Sequence, residues 1–81
     1  MRVRLLAFAS AGDAIGSPDG RFELADGATV GELRCELALR HPRIGPLLPR
    51  IAIAVDGEIV PENAVLADGV EVALLPPVSG G

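Results

Sequence analysis

The chain has 81 residues, which is one domain, and folding buries only about 60% of the surface that an unfolded chain of this size exposes. Hydrophobic residues make up 49%, but Phe8 and Phe22 are the only aromatics, so aliphatic side chains must fill the core. The net charge is −4, all seven cations are scattered arginines, and no apolar run approaches the roughly 20 residues of a membrane span, which argues against nucleic-acid and membrane partners.

Residues 2–8 (RVRLLAF) alternate charged and apolar side chains and predict a half-buried strand, not a signal peptide. Val3, Leu5 and Ala7 share one face, while Leu6 and Phe8 fall on the other with Arg2 and Arg4. Residues 9–20 predict a loop with one helical turn, closed by a Pro18-Asp19-Gly20 turn. Arg21 to Leu24 predict a second strand, linked to the first as a hairpin. Thr29-Val30-Gly31-Glu32 has the form of a capping box, in which the Thr29 hydroxyl and the Glu32 carboxylate satisfy each other's backbone amides. Val30, Leu33, Leu37 and His41 follow at helical spacing until Pro42, which predicts a helix over about residues 30–41. Residues 42–50 hold three prolines and predict a turn with a short helical stretch around Gly45–Leu48. Ile51, Ile53 and Val55 mark a third strand, and Asp56-Gly57 a hairpin turn. Glu58 to Val60 form a short fourth strand, placed at an edge because Pro61 ends it. After an Asp68-Gly69 turn, Val70, Val72 and Leu74 mark the last strand.

The order β-β-α-β-β-β predicts an α+β chain of the β-grasp type: a mixed sheet of four to five strands packed on one main helix. In that arrangement the first and last strands are central neighbours, and the C-terminus leaves the middle of the sheet. Residues 1–75 are then the β-grasp domain, and 76–81 an extended C-terminal tail ending in Gly-Gly.

The tail reads Pro76-Pro77-Val78-Ser79-Gly80-Gly81. The prolines cannot donate to a sheet ladder, so they end the strand and favour an extended path. Six residues at about 3.1 Å each reach roughly 19 Å, enough to enter another protein's active site. Gly80 and Gly81 lack a Cβ, so they can pass a narrow channel, and the Gly81 carboxylate is unhindered. A carboxylate is a poor electrophile until adenylation supplies a leaving group; a sulfur nucleophile can then convert it to a thiocarboxylate. A covalent modifier joined to lysines through Gly81 shares the adenylation step, and a plain interaction domain with an incidental tail is the third possibility.

Other residues carry weaker signals. A single cysteine excludes an internal disulfide and is compatible with a cytoplasmic location; Cys35 is expected to be inert and partly buried in the helix. With His41 as the only histidine, no histidine-cysteine metal cluster is expected, and His41 is read as closing the helix C-terminus. Asp13, Asp19, Asp26, Glu62 and Asp68 are read as solvated carboxylates, with an acidic docking surface as the alternative. The chain has no lysine, so the α-amine is the only amine that could accept an acyl group, although codon bias is the simpler origin of that composition.

VRLLAFAS, DGATVGELRCELALRHP, IAIAVDGEIV and above all LADGVEVALLPPVSGG resemble the small subunit of molybdopterin synthase, a sulfur carrier related to the thiamine-pathway carrier and to ubiquitin. The likeness spans nearly the whole chain. It implies that an adenylating enzyme activates Gly81 with ATP and magnesium, that no cofactor is permanently bound, and that a sulfurtransferase supplies persulfide sulfur. It implies further that the thiocarboxylate tail enters the large synthase subunit, in a heterotetramer, and donates sulfur to cyclic pyranopterin monophosphate. The catalytic residues for the pterin chemistry then belong to the large subunit, and Gly81 is the reacting terminus, with Gly80 serving tail insertion. The resemblance also implies a docking surface at Phe8, Ile59 and Leu75, continued by Pro76, Pro77, Val78 and Ser79. Carriers for thiamine, cysteine or a secondary metabolite share the general plan. The segment Ser10-Ala11-Gly12-Asp13-Ala14 departs from the family's usual Arg-Glu pair, so contacts through that loop are not carried over.

Overall fold

Alternation in the first strand separates the inside of the molecule from the outside. In β1 (Arg2–Ala7), Val3, Leu5 and Ala7 are buried, while Arg2, Arg4 and Leu6 turn the other way. The structure, a computed structural model, describes residues 1–17 and 19–77. Where the sequence predicts a loop with one helical turn, the chain forms α1 (Ser10–Ile15), closed by Gly16 at φ 92°. Three apolar residues explain the extra turn: Ala11 is fully buried, and Ala14 and Ile15 pack against the core. β2 (Asp19–Glu23) runs antiparallel to β1, with Val3 opposite Phe22. Asp19 and Gly20 already belong to this ladder, opposite Leu6 and Leu5, and do not form the predicted turn. Pro18, the first residue of that predicted turn, lies outside the described residues.

The capping box forms as its sequence requires. Thr29 Oγ1 accepts from the Glu32 amide at 3.2 Å, and Glu32 Oε1 accepts from the Thr29 amide at 3.0 Å. It starts α2 (Val30–Arg40), whose buried stripe is Val30, Leu33 and Leu37. His41 ends the helix, its amide donating to the Leu37 carbonyl at 2.8 Å. Replacing Thr29 by alanine removes the side-chain acceptor for the Glu32 amide and is expected to cost about 1 kcal/mol. Urea unfolding followed by circular dichroism would measure it; an unchanged midpoint would mean that water satisfies the amide equally well.

Residues after α2 coil more tightly than the sequence suggests. Pro42–Arg50 forms a 3₁₀ helix that contains Pro46 and Pro49 and buries Ile44 and Leu48. Prolines at 42, 46 and 49 lack amide donors, so an α-helical ladder cannot run through this segment. Arg34 ties α2 to its surroundings: its Nη1 donates to the Leu48 carbonyl at 2.6 Å and its Nε to Glu62 at 2.9 Å.

β3 (Ala52–Val55) and β4 (Glu58–Ile59) are joined by Asp56 and Gly57, both at positive φ (49° and 87°), the backbone a tight two-residue hairpin needs. β5 (Glu71–Leu75) completes a five-stranded sheet of order β2-β1-β5-β3-β4. β1 and β5 are parallel, and the other pairs are antiparallel. Val3, Leu5, Ile53, Val72 and Leu74 face α2 and the 3₁₀ helix across an aliphatic core, with no polar residue buried among those described. The helices cover one face of the sheet only. The opposite face is left open, and the central strand β5 runs to the C-terminal segment.

Candidate functional site

The place where β5 leaves the sheet comes first. Leu75 lies opposite Ala52 of β3, and the Phe8 amide donates to the Leu74 carbonyl at 3.2 Å. Beyond Leu75 the ladder cannot continue, because Pro76 and Pro77 have no amide hydrogen. Pro76 is partly buried and Pro77 exposed. Val78, Ser79, Gly80 and Gly81, the rest of the predicted site, lie outside the described residues.

The open face is organised in rows across the strands. Arg4 is level with Glu71. One row on, Leu6, Ala73, Ala54 and Ile59 run across four strands. Ala7 is paired with Leu74, so the next row sets Phe8 beside Leu75 and then Ala52. The two rows nearer the C-terminal segment are thus wholly apolar on β1, β5, β3 and β4. Phe8 is 50% exposed and Ile59 64%, which leaves large apolar surface in water beside the exit of β5. The structure brings Phe8 and Leu75 together. It sets Ile59 apart from them, one row back on the β4 edge.

The alanines between them were not singled out from the sequence. Ala52, Ala54 and Ala73 make a low floor flanked by Leu6, Phe8, Leu75 and Ile59. Ala54 is buried without belonging to the core cluster, so its larger neighbours on the open face shield it. The available signal was Ile51-Ala52-Ile53-Ala54, whose outward positions carry small apolar residues where a solvated strand would carry polar ones.

Ala9 reverses the chain directly after Phe8. Its φ of 49° and ψ of −126° lie where a side chain is strained, and the Ala11 amide donates to the Phe8 carbonyl at 3.0 Å. This turn sends the backbone into α1 and leaves the Phe8 ring at the end of β1.

A charged band borders the apolar rows on the side away from the C-terminal segment. Arg2 pairs with Glu23 at 2.7 Å and Arg4 with Asp19 at 3.1 Å, both in solvent and each worth little to stability. The hydrogen bond from Arg4 holds the Asp19 carboxyl below its ordinary value. A carboxyl depressed on folding adds stability above its unfolded value and loses it as pH falls through its folded value. Urea midpoints from pH 5 down to pH 2 should therefore fall more steeply for the native chain than for Asp19→Asn. Identical slopes would show that the pair is too well solvated to matter.

Four of the five carboxylates considered as an acidic surface, all but Asp13, are held by partners within the chain. Asp19 pairs with Arg4, Asp26 with the α-amine and Glu62 with Arg34, and Asp68 accepts from the Arg2 amide. Cys35, expected to be partly buried, is exposed, because its position on α2 lies off the Val30-Leu33-Leu37 stripe. Among the described residues no three His, Cys, Asp or Glu side chains cluster to hold a metal, and no helix is long and apolar enough to cross a membrane.

A capped helix across one face of a mixed sheet, an open apolar face and a central last strand define a ubiquitin-like β-grasp protein. The model of the ThiS family matches residues 5–81, and the chain belongs to that family. It is 34% identical over 83 residues to the molybdopterin synthase sulfur carrier subunit of Chlamydomonas reinhardtii, with both chains covered in full. To the protein of the same name from Mycobacterium tuberculosis it is 35% identical over 82 residues, covering 100% of this chain and 99% of the other. Among solved structures, small archaeal modifier protein 1 of Haloferax volcanii superposes with a TM-score of 0.87 at 29% identity, both chains fully covered. The complex of subunits 1 and 2 of the molybdopterin-converting factor from Helicobacter pylori gives 0.72 at 28%, again with full coverage.

Proposed function

We propose that the chain is the sulfur carrier subunit of molybdopterin synthase, working through the Gly81 carboxylate. The observation that carries this is the route of β5: the central strand runs directly toward Pro76–Gly81, and the ThiS match extends through Gly81. Full-length likeness to two subunits named as molybdopterin synthase sulfur carriers supports the pathway.

The proposed cycle needs no acid or base from this chain. A Gly81 carboxylate oxygen attacks the α-phosphorus of ATP on an activating enzyme, with magnesium, and pyrophosphate leaves. The terminal sulfur of a sulfurtransferase persulfide then displaces AMP to form an acyl disulfide, and a thiol cleaves that bond, releasing the thiocarboxylate and leaving a disulfide on the donor. The large synthase subunit takes in the tail and transfers its sulfur to cyclic pyranopterin monophosphate. Likeness to a chain from a two-subunit converting-factor complex supports that partner. Phe8, Leu75 and the alanine floor, with Ile59 at its margin, would seat it, while Pro76 to Gly80 supply reach. A cytoplasmic setting belongs to the same proposal.

Intact mass spectrometry tests the proposal. The chain is incubated with ATP, magnesium, a competent activating enzyme, a persulfide donor and a thiol reductant. Exchange of one oxygen for sulfur at Gly81 is expected. The likeness to small archaeal modifier protein 1 makes a covalent modifier the second reading, for which isopeptide adducts on other proteins would be the sign. An unchanged mass with an enzyme shown to be competent overturns both.

A further inference from the structure

The chain offers almost no nucleophilic nitrogen. Its seven basic residues are all arginines, whose guanidinium stays protonated at working pH and attacks acyl carbon poorly. The remaining amine is that of Met1, and the fold holds it. It donates to the Leu24 carbonyl at 2.8 Å and lies 3.0 Å from Asp26 Oδ1. The hydrogen bond to Asp26, helped by the charges of Asp26, Glu23 and Asp68, raises the amine's pKa above its ordinary value despite some desolvation. The ammonium form has no lone pair with which to attack.

Topology adds a second barrier. β1 and β5 are parallel, with Arg4 beside Glu71 and Ala7 beside Leu74, so the chain leaves β5 level with Phe8. The way back along β1 from Phe8 to Met1 is seven residues, or about 23 Å at strand spacing. The six residues after Leu75 span at most about 22 Å when fully stretched. The two lengths are nearly equal, so the length lost in reversing direction is what keeps the tail from its own α-amine.

We propose that this chain is a one-way acyl donor toward amines: once activated at Gly81 it forms no amide bond with itself or with further copies of itself, a restriction that does not extend to the exposed thiol of Cys35. The suppressed reaction is attack of an amine on the Gly81 acyl carbon, which forms an amide, expels AMP and releases a proton. The acyl group is thereby kept for a sulfur nucleophile or for an acceptor on another protein, and amide-linked chains of this protein do not form. The proposal rests on the activation of Gly81 proposed above.

Two experiments test it, and only the first needs activation. The chain is incubated with ATP, magnesium and the activating enzyme without a sulfur donor. Pyrophosphate release confirms activation, hydroxylamine removes any thioester formed at Cys35, and denaturing mass spectrometry then counts amide-linked copies. The native chain should give none. Arg43→Lys and Arg50→Lys, which keep the charge at exposed positions, should give linked copies at least about tenfold above the detection floor, since an exposed lysine restores an ordinary amine nucleophile. Linked copies of the native chain, or none from the lysine variants, overturn the proposal. In the second experiment an acetylating ester labels the amines near neutral pH. Native Met1 should react several-fold more slowly than Met1 in Asp26→Ala, and equal rates overturn the proposal. Absent pyrophosphate release sinks the activation of Gly81 alone, and the labelling rates still decide whether the amine is held.

Discussion

Deleting Gly81 is expected to abolish sulfur loading while leaving the fold intact. In the proposed cycle the chemistry is confined to one terminal carboxylate, and removing the residue moves that group back by about 3.5 Å, outside the reach of an enzyme built for the full tail. No thiocarboxylate should be detectable by intact mass. The thermal midpoint should stay within about 3 °C, the shift that ~0.5 kcal/mol produces in a domain of this size. The described contacts of β5 explain the tolerance, since its ladder ends at Leu75 and its Phe8–Leu74 bond lies before the prolines. Sulfur loading of the shortened chain would sink the assignment of Gly81. Loss of folding would show that the terminal residues are part of the domain.

Charging the open face should separate the carrier from its large subunit. Phe8→Asp combined with Leu75→Asp places two carboxylates in the row beside the exit of β5. We expect affinity for the isolated large subunit to fall by two to three orders of magnitude, or about 3–4 kcal/mol, as when central apolar anchors of an interface are lost. Phe8 is half exposed, so its replacement removes little from the core. Leu39→Asp is the control: Leu39 is 74% exposed but sits on α2, on the covered side of the sheet. Isothermal titration calorimetry reads both variants. Equal losses in the two would mean that the partner does not choose the open face, and unchanged affinity in the double variant would remove the patch from the interface.

Much of the fold was legible because local chemistry and tertiary packing agree. Thr29 and Glu32 are close in sequence, so their reciprocal bonds could be expected from the chain alone, as could the buried faces of β1 and α2. The differences arise where small residues and prolines decide. Residues 9–20 predict a loop with one helical turn, and buried Ala11 with the packed Ala14 and Ile15 extends that turn to the six-residue helix Ser10–Ile15. The 3₁₀ helix runs from Pro42 to Arg50 because prolines deny it α-helical bonds while Ile44 and Leu48 hold it to the core.

For the site, the sequence by itself determined the chemistry at the end of the chain. Prolines without an amide hydrogen end the ladder and glycines without a Cβ are slender, and these properties belong to the residues and need no neighbour. Lack of lysine is equally a property of the sequence. Only the tertiary structure decided what surrounds that chemistry. Phe8 and Leu75 are far apart in sequence, and they meet because β1 and β5 pair in parallel with Ala7 level with Leu74. The alanine floor exists because Ala52, Ala54 and Ala73 share the face that the helices leave uncovered. The Met1 amine is held because the chain returns through Leu24 and Asp26 to meet it. Strand register and face are long-range choices, made when the aliphatic core closes, and local sequence does not contain them.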